Sequence, residues 1–328
     1  RVRDVDGPAL GSVEEIVAAS VFPHRASADV VLLAPNDLLA TKACGVTFIR
    51  SLLERVVEEK AKGDPAAAKQ VRRMILDSLG EDLSRVKPGS PETRQLKEKF
   101  IEAGVWSQYL EVGIGPDAEV FTKAQPMASV GYGEQIGVLP DSSWNNPEPE
   151  IVLAVSRRGE IRGATLGNDV NLRDYEGRSA LLLGEAKDQN GSCAIGPMIR
   201  LFDDDFTLAD VEQCEVALSI TGVDGFTTRG KNRMAEISRS PADLVSAAIG
   251  KHHQYPDGLV LFLGTMFAPT DDRGQAGAGF THKLGDRVEI ATQQLGTLVN
   301  WVNHTDAIPP WEFGATALID FLRRRANA

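Results

Sequence analysis

The sequence predicts an α+β protein that is mainly β, built on a largely antiparallel sheet that folds over on itself. Three observations carry this. From about Trp106 onward the chain breaks into short β-rich runs separated by glycine. Helical signals are few after that point, so the strand–helix alternation of a doubly wound sheet is missing. Val223-Asp224-Gly225, between two of these runs, signals a hairpin.

The elements follow in order. Ser12-Val13-Glu14-Glu15 has the spacing of a capping box and predicts a short helix. Val30-Val31-Leu32-Leu33 predicts a strand closed by Ala34-Pro35-Asn36-Asp37. Leu52, Leu53, Val56 and Val57 recur at helical spacing, and the charged stretch over 58–73 continues the helix. A turn signal at Lys87-Pro88-Gly89-Ser90-Pro91 separates it from a second helix over 96–103. Strands are expected at Glu119–Lys123, Ile151–Val155, Ile161–Leu166, Cys214–Thr221, Leu259–Leu263, Arg287–Ala291 and Thr297–Val302. One helix interrupts them, with Ser240 as N-cap, Pro241 at its first position and Gly250 as its stop. The expected division is an N-terminal α/β region over 1–105, with a helical insert at 55–105, and a β-rich domain over 106–328.

Composition narrows the function classes. No apolar run reaches the ~20 residues that span a bilayer, and no secretory signal is visible; the chain opens on Arg1, so native residues are expected before it. Cys44, Cys193 and Cys214 are dispersed and odd in number, which speaks against a disulfide framework and for a reducing cytoplasm. A formal net charge of −11 disfavours nucleic acid as a partner, because phosphate binding needs basic clusters. A small anionic substrate stays open, since a bound cation reverses the local field.

The chemistry starts at Pro147-Glu148-Pro149-Glu150, which runs into the apolar Ile151–Val155. Side chains alternate along a strand, so Glu148 and Glu150 share a side. Carboxylates that close repel unless a proton or cation lies between them. A third acid, Asp169, follows the next apolar segment. Three convergent oxygen donors suit a hard divalent cation, Mg2+ or Mn2+. Taken singly, the pair also reads as an exposed strand start and Asp169 as a turn residue.

The continuation decides between these. Asn168-Asp169-Val170-Asn171-Leu172-Arg173-Asp174 is followed by Glu185-Ala186-Lys187-Asp188, then by Cys193-Ala194-Ile195-Gly196-Pro197. Later come Leu263-Gly264-Thr265 and Gly285-Asp286-Arg287-Val288-Glu289-Ile290. In that order over residues 106–304 the segments resemble the fumarylacetoacetate hydrolase superfamily, whose fold is a rolled mixed β-sheet around a divalent metal. The resemblance implies that Glu148, Glu150 and Asp169 hold the metal, that Lys187 lines the substrate site, and that Gly264 and Thr265 contact the substrate. It also implies a homodimer or higher homo-oligomer.

A narrower likeness lies in Gly45-Val46-Thr47-Phe48, Asp117–Lys123, Asp141-Ser142-Ser143-Trp144 and Trp311-Glu312-Phe313-Gly314. These are similar to the sugar-acid dehydratase branch, acting on 2-keto-3-deoxy-pentonates; the longer helical insert is a departure. The implied reaction chelates a small 2-keto acid on Mg2+, forms an enolate at C3, expels the C4 hydroxyl and yields 2,5-dioxopentanoate. Glu119 is the expected acid/base, Lys187 steadies the enolate or protonates the departing hydroxyl, and Lys123 and Arg50 are further anion contacts. The alternative is a metal-dependent acylpyruvate-type C–C hydrolase, which needs a water-activating His–Glu pair. None of His24, His252, His253, His282 and His304 falls between residues 25 and 251, where the lid is expected, which favours the lyase. Cys193 reads as a structural thiol, and neither Gly131-Tyr132-Gly133 nor Gly274–Gly279 has the strand–helix setting of a phosphate cradle.

Overall fold

A computed structural model describes residues 7–61, 73, 87–104, 106–273 and 279–327. Its strands in chain order are β1 (Ala40–Gly45), β2 (Glu119–Ala124), β3 (Gln135–Val138), β4 (Asn145–Asn146), β5 (Pro149–Val155), β6 (Ile161–Asp169), β7 (Asn171–Leu172), β8 (Cys193–Leu201), β9 (Glu215–Thr221), β10 (Thr227–Arg233), β11 (Leu259–Phe262), β12 (Arg287–Thr292) and β13 (Gly296–His304). They form a six-stranded sheet ordered β2-β1-β11-β5-β6-β8, a five-stranded sheet ordered β10-β9-β12-β13-β3 and the short pair β4-β7. Each large sheet contains one parallel pair, β1 with β11 and β13 with β3; the other pairings are antiparallel.

Burial explains the two strand textures. β5 is buried along almost its whole length, as its unbroken apolar run requires. β12 alternates buried and half-buried positions, the period-two pattern of a strand with one face on the core. Val216, Leu218 and Ile220 of β9 and Val288 and Ile290 of β12 share one core with Ile151, Leu153, Ala164 and Leu166 of the other sheet. Each of the valine, leucine and isoleucine side chains contributes about 1.5–3 kcal/mol by leaving water. Among the described residues, no helix is long and apolar enough to cross a membrane.

The structure corrects three expectations. Val30–Leu33 is not a strand, because the Leu32 amide donates to Ser20 Oγ and its carbonyl accepts from Arg25, leaving no ladder to join. Inside the region expected to be β, Gln108–Ile114 is a helix capped by Ser107, with Leu110 and Ile114 buried one turn apart. β1 arises where no strand is expected, and lies between β2 and β11. The helices at Ile49–Ala61 and Pro91–Glu102 form as expected, the second beginning earlier; of the continuation expected to 73, residues 62–72 lie outside the described residues.

The helices 49–61, 91–102 and 108–114 bury Leu52, Val56, Phe100, Leu110 and Ile114 with Val46 in a satellite cluster of their own. This cluster crosses the boundary expected at residue 105, and β1 joins residues before it to the sheet that follows.

Candidate active site

Strand register assembles the acids. β5 on β6 pairs Pro149 with Asn168 and Glu150 with Gly167, and the Asp169 amide donates to the Glu148 carbonyl over 3.0 Å. Glu148 therefore lies opposite Asp169, and the three acids project to one face. All three are buried, with one carboxylate oxygen from each within 4.8 Å of the others. Asn168 Oδ1 accepts from the Glu148 amide at 3.0 Å and fixes the strand entry.

β11 supplies the adjoining wall. The Leu263 amide donates to the Ile151 carbonyl at 3.0 Å, and the chain then turns at Gly264 with φ +103°. The turn aims the Gly264 amide at Glu150 Oε2 (2.7 Å) and Thr265 Oγ1 at Glu148 Oε2 (2.7 Å) and Glu150 Oε1 (3.3 Å). Only glycine fits here: a Cβ would sit 2.0 Å from Thr47 Oγ1, whose hydroxyl donates to the Leu263 carbonyl. Gly264→Ala is expected to cost about 1–3 kcal/mol or more of stability through strain and this clash, and to weaken divalent-metal binding, read by chemical denaturation and Mg2+ titration.

Three cations thread the cluster. Lys187, at the end of the helix Leu183–Lys187, donates to Glu148 Oε2 at 2.6 Å and Asp169 Oδ2 at 2.9 Å. Arg55, on the helix Ile49–Ala61, reaches Glu148 Oε1 and Glu176 Oε1, both at 2.7 Å. Lys123 pairs with Asp169 Oδ1 at 2.9 Å and donates to the carbonyls of Val170 and Lys187. That places Lys123, fully buried, against Asp169 and two backbone carbonyls, where it supports the acidic cluster rather than standing free for the expected anion contact. Arg50 lies on the 49–61 helix, with its side chain outside the described residues.

These charges set the titration. Burial acts to raise the Glu148 pKa, but Lys187 and Arg55, with bonds from Lys187 and Thr265, outweigh it and hold the carboxyl well below the ordinary range. Burial and the charges of Asp169 and Glu148 push Glu150 well above it, which favours a protonated Glu150 while no cation is bound. Burial also opposes the Lys187 ammonium, yet Asp169 and Glu148 keep its pKa above that of an ordinary lysine. Glu119 opens β2, with its carboxylate over Gly45, where a Cβ would come within 1.8 Å of it. Burial first, and then the charge of Glu176, raise Glu119 to about 7 against the opposing pull of Arg55 and Lys187.

A cavity of about 310 Å³ opens onto Glu148, Thr265 and Arg55 and is lined further by Ser51, Arg173, Thr228, Arg229, Lys231 and Asp271. The fumarylacetoacetate hydrolase C-terminal family model matches residues 102–303. The chain belongs to the fumarylacetoacetate hydrolase family. It is 31% identical over 276 residues, 84% of this chain and 90% of the relative, to a probable 2-keto-3-deoxyxylonate dehydratase of Haloferax volcanii. It is 33% identical over 264 residues, 76% of this chain and 85% of the relative, to a 2-dehydro-3-deoxy-D-arabinonate dehydratase of Saccharolobus solfataricus. Among solved structures, a 2-keto-3-deoxy-D-arabinonate dehydratase complexed with magnesium and 2,5-dioxopentanoate has the same fold, with a TM-score of 0.61 at 22% identity over 91% of this chain and 83% of that one. The apo form of that dehydratase gives a TM-score of 0.62 at 22% identity, over 91% of this chain and 83% of that one. With such relatives, this family member is an enzyme of the dehydratase type.

The donor set fits a magnesium-like ion. Glu148, Glu150 and Asp169 bring three buried carboxyls within 4.8 Å of one another, and a divalent ion among them would take the place of the proton that burial and its neighbours favour on Glu150. An all-oxygen triad is the choice of a hard cation.

Sequence reasoning did not single out Arg55, Glu176 or Asn171. Asn171 Nδ2 bridges Glu148 Oε1 (3.0 Å) and Glu176 Oε2 (2.5 Å). Asn171 and Arg173 stand inside the quoted Asn-Asp-Val-Asn-Leu-Arg-Asp motif, and Glu176 lies two residues past it; that proximity was the available signal. The same motif explains the Ser-Ser-Trp segment: Asp174 accepts from Ser142 Oγ and the Ser143 amide, and the Arg173 guanidinium lies 4.8 Å over the Trp144 ring. Among the described residues no histidine lines the cavity; His282 is buried against Asp286.

Proposed function

We propose that this enzyme dehydrates a 2-keto-3-deoxy-pentonate of the xylonate or arabinonate series to 2,5-dioxopentanoate, with Mg2+ as its cofactor, in oxidative pentose breakdown. The observation that carries this reading is a carboxyl poised near neutrality, Glu119, electrostatically coupled to the same buried cluster as the acidic triad and Lys187. Glu148, Glu150 and Asp169 would hold the divalent ion, whose Lewis acidity would lower the pKa of the C3 protons of a 2-keto acid. Glu119 takes the C3 proton, a task its pKa near 7 suits at physiological pH. Lys187 holds an ammonium beside the reacting centre and donates to the hydroxyl leaving C4 as water. Tautomerisation of the dehydrated product then yields the C5 aldehyde. Thr265, on the cavity wall, meets the substrate carboxylate, while Gly264 keeps Glu150 in place through its amide.

The C–C hydrolase alternative has less support, because among the described residues no histidine lines the cavity to activate water. The buried, unpaired Cys44, Cys193 and Cys214 suit a reducing cytoplasm. The exposed Trp311, Phe313, Ile319, Phe321 and Leu322 suit burial in a homo-oligomer.

The test is turnover of 2-keto-3-deoxy-D-xylonate and -arabinonate, coupled to a semialdehyde dehydrogenase that reports NAD(P)H. We expect a signal that requires Mg2+, disappears with EDTA, and is lost in Glu148→Gln with the circular dichroism spectrum unchanged. Full activity in that variant would refute the metal site. Pyruvate released from an acylpyruvate, with no turnover of either pentonate, would replace the dehydratase with a hydrolase.

A further inference from the structure

Both oxygens of Glu148 are fully engaged by protein donors. Oε1 accepts from Arg55 at 2.7 Å and Asn171 at 3.0 Å, and Oε2 accepts from Lys187 at 2.6 Å and Thr265 at 2.7 Å. A carboxylate in this state offers a cation no vacant lone pair, so one of its donors has to leave when Glu148 becomes a ligand. The two charged donors differ in mobility. The Lys187 side chain is 3% exposed and shared with Asp169. That of Arg55 is 11% exposed and lines the cavity.

Arg55 also has somewhere to go. Its second contact, Nη1 to Glu176 Oε1 at 2.7 Å, anchors the guanidinium independently of Glu148. Glu176 is held in turn by Asn171. The helix that carries Arg55 buries Leu52 and Val56 in the satellite cluster, apart from the main core. A divalent ion and a guanidinium on one carboxylate repel each other, and the repulsion is strong where water is scarce. A guanidinium turned from Glu148 into the cavity presents a flat fork of N–H donors that matches a carboxylate.

We infer that Arg55 is a substrate-binding residue released by the metal: it neutralises Glu148 in the metal-free enzyme and, displaced by the divalent ion, binds the carboxylate of the incoming 2-keto acid. Metal therefore binds before substrate. The inference rests on the proposed 2-keto-acid reading for its second half and on the site geometry alone for its first.

The test separates the halves. MgCl2 is titrated calorimetrically, without substrate, into wild type, Arg55→Met, Glu176→Gln and the double variant. Arg55→Met is expected to bind Mg2+ roughly tenfold tighter, a change of about 1.4 kcal/mol, because a competing cation is gone; a merely structural arginine would give weaker binding. Glu176→Gln is expected to bind Mg2+ more weakly, since Arg55 then rests on Glu148 alone, and this effect should vanish when Arg55 is also Met. Unchanged or weaker Mg2+ binding in folded Arg55→Met, or a Glu176 effect that persists in the double variant, overturns the inference. With pentonate substrate, Arg55→Met should raise KM tenfold or more while kcat falls less. If Arg55→Met does not fold, Arg55→Lys keeps the charge and loses the fork; an unchanged KM there overturns the role. Should wild type turn over neither pentonate, the functional reading fails while the Mg2+ titrations still decide Arg55.

Discussion

Glu119→Gln is expected to lose about 10²–10⁴-fold in kcat while becoming more stable than wild type at alkaline pH. The two effects have one cause. Burial and Glu176 raise the Glu119 pKa from the ordinary 4.5 to about 7, so the folded enzyme keeps a proton that the unfolded chain releases. Folded stability therefore falls as pH climbs from about 4.5 through 7, and above 7 the ionised carboxylate costs the native state on the order of 3 kcal/mol. Glutamine carries no charge and avoids that cost. Urea denaturation in EDTA should show the variant ahead at pH 8 and the gap closing towards pH 4.5. Equal stability at both pH values would refute the perturbed carboxyl. In wild type, kcat/KM should rise with pH through an inflection near 7, as expected when the ionised form removes the proton.

Lys187→Met should abolish turnover and, without metal, cost about 3–5 kcal/mol of stability. The ammonium is the shared partner of Glu148 and Asp169, and its removal leaves two buried carboxylates facing each other. The sign with pH follows from Glu148, whose pKa is depressed in the folded state. Its pairing stabilises the fold above the ordinary carboxylate value and is lost as pH falls, so the deficit of the variant should shrink in acid. Mg2+ restores counter-charge to the same oxygens and should recover much of the lost stability without recovering turnover. Activity retained in Lys187→Met would remove Lys187 from the reaction.

Legibility followed physics. β5, β6, β9, β11, β12 and β13 were readable because their burial is written in apolar runs or strict alternation. The acidic triad was readable because a two-residue period and one antiparallel register suffice to converge it. β10 was not, since Thr-Thr-Arg-Gly-Lys-Asn-Arg is an edge strand with little apolar content. β1, made of Ala, Thr, Lys, Ala, Cys and Gly, is a strand because β2 and β11 flank it, and only tertiary structure states that. Arg55 was hidden for the same reason: it looks like one charge on an amphipathic helix, and its carboxylate partners lie 93 and 121 residues away.

The prolines of Pro147-Glu148-Pro149-Glu150 have a consequence for how the enzyme meets its metal. Each proline fixes its own φ, and each biases the residue before it, Asn146 or Glu148, towards extended backbone. The unfolded chain is thus already narrowed where the ligands sit, and ordering this stretch forfeits less conformational entropy than the roughly 1–2 kcal/mol per residue of an ordinary segment. Little binding energy has to be diverted into shaping the centre. The backbone of the centre is therefore in place before the ion arrives, leaving only side chains such as Arg55 to rearrange, and a sample stripped by chelation is expected to regain its activity on return of Mg2+ without refolding.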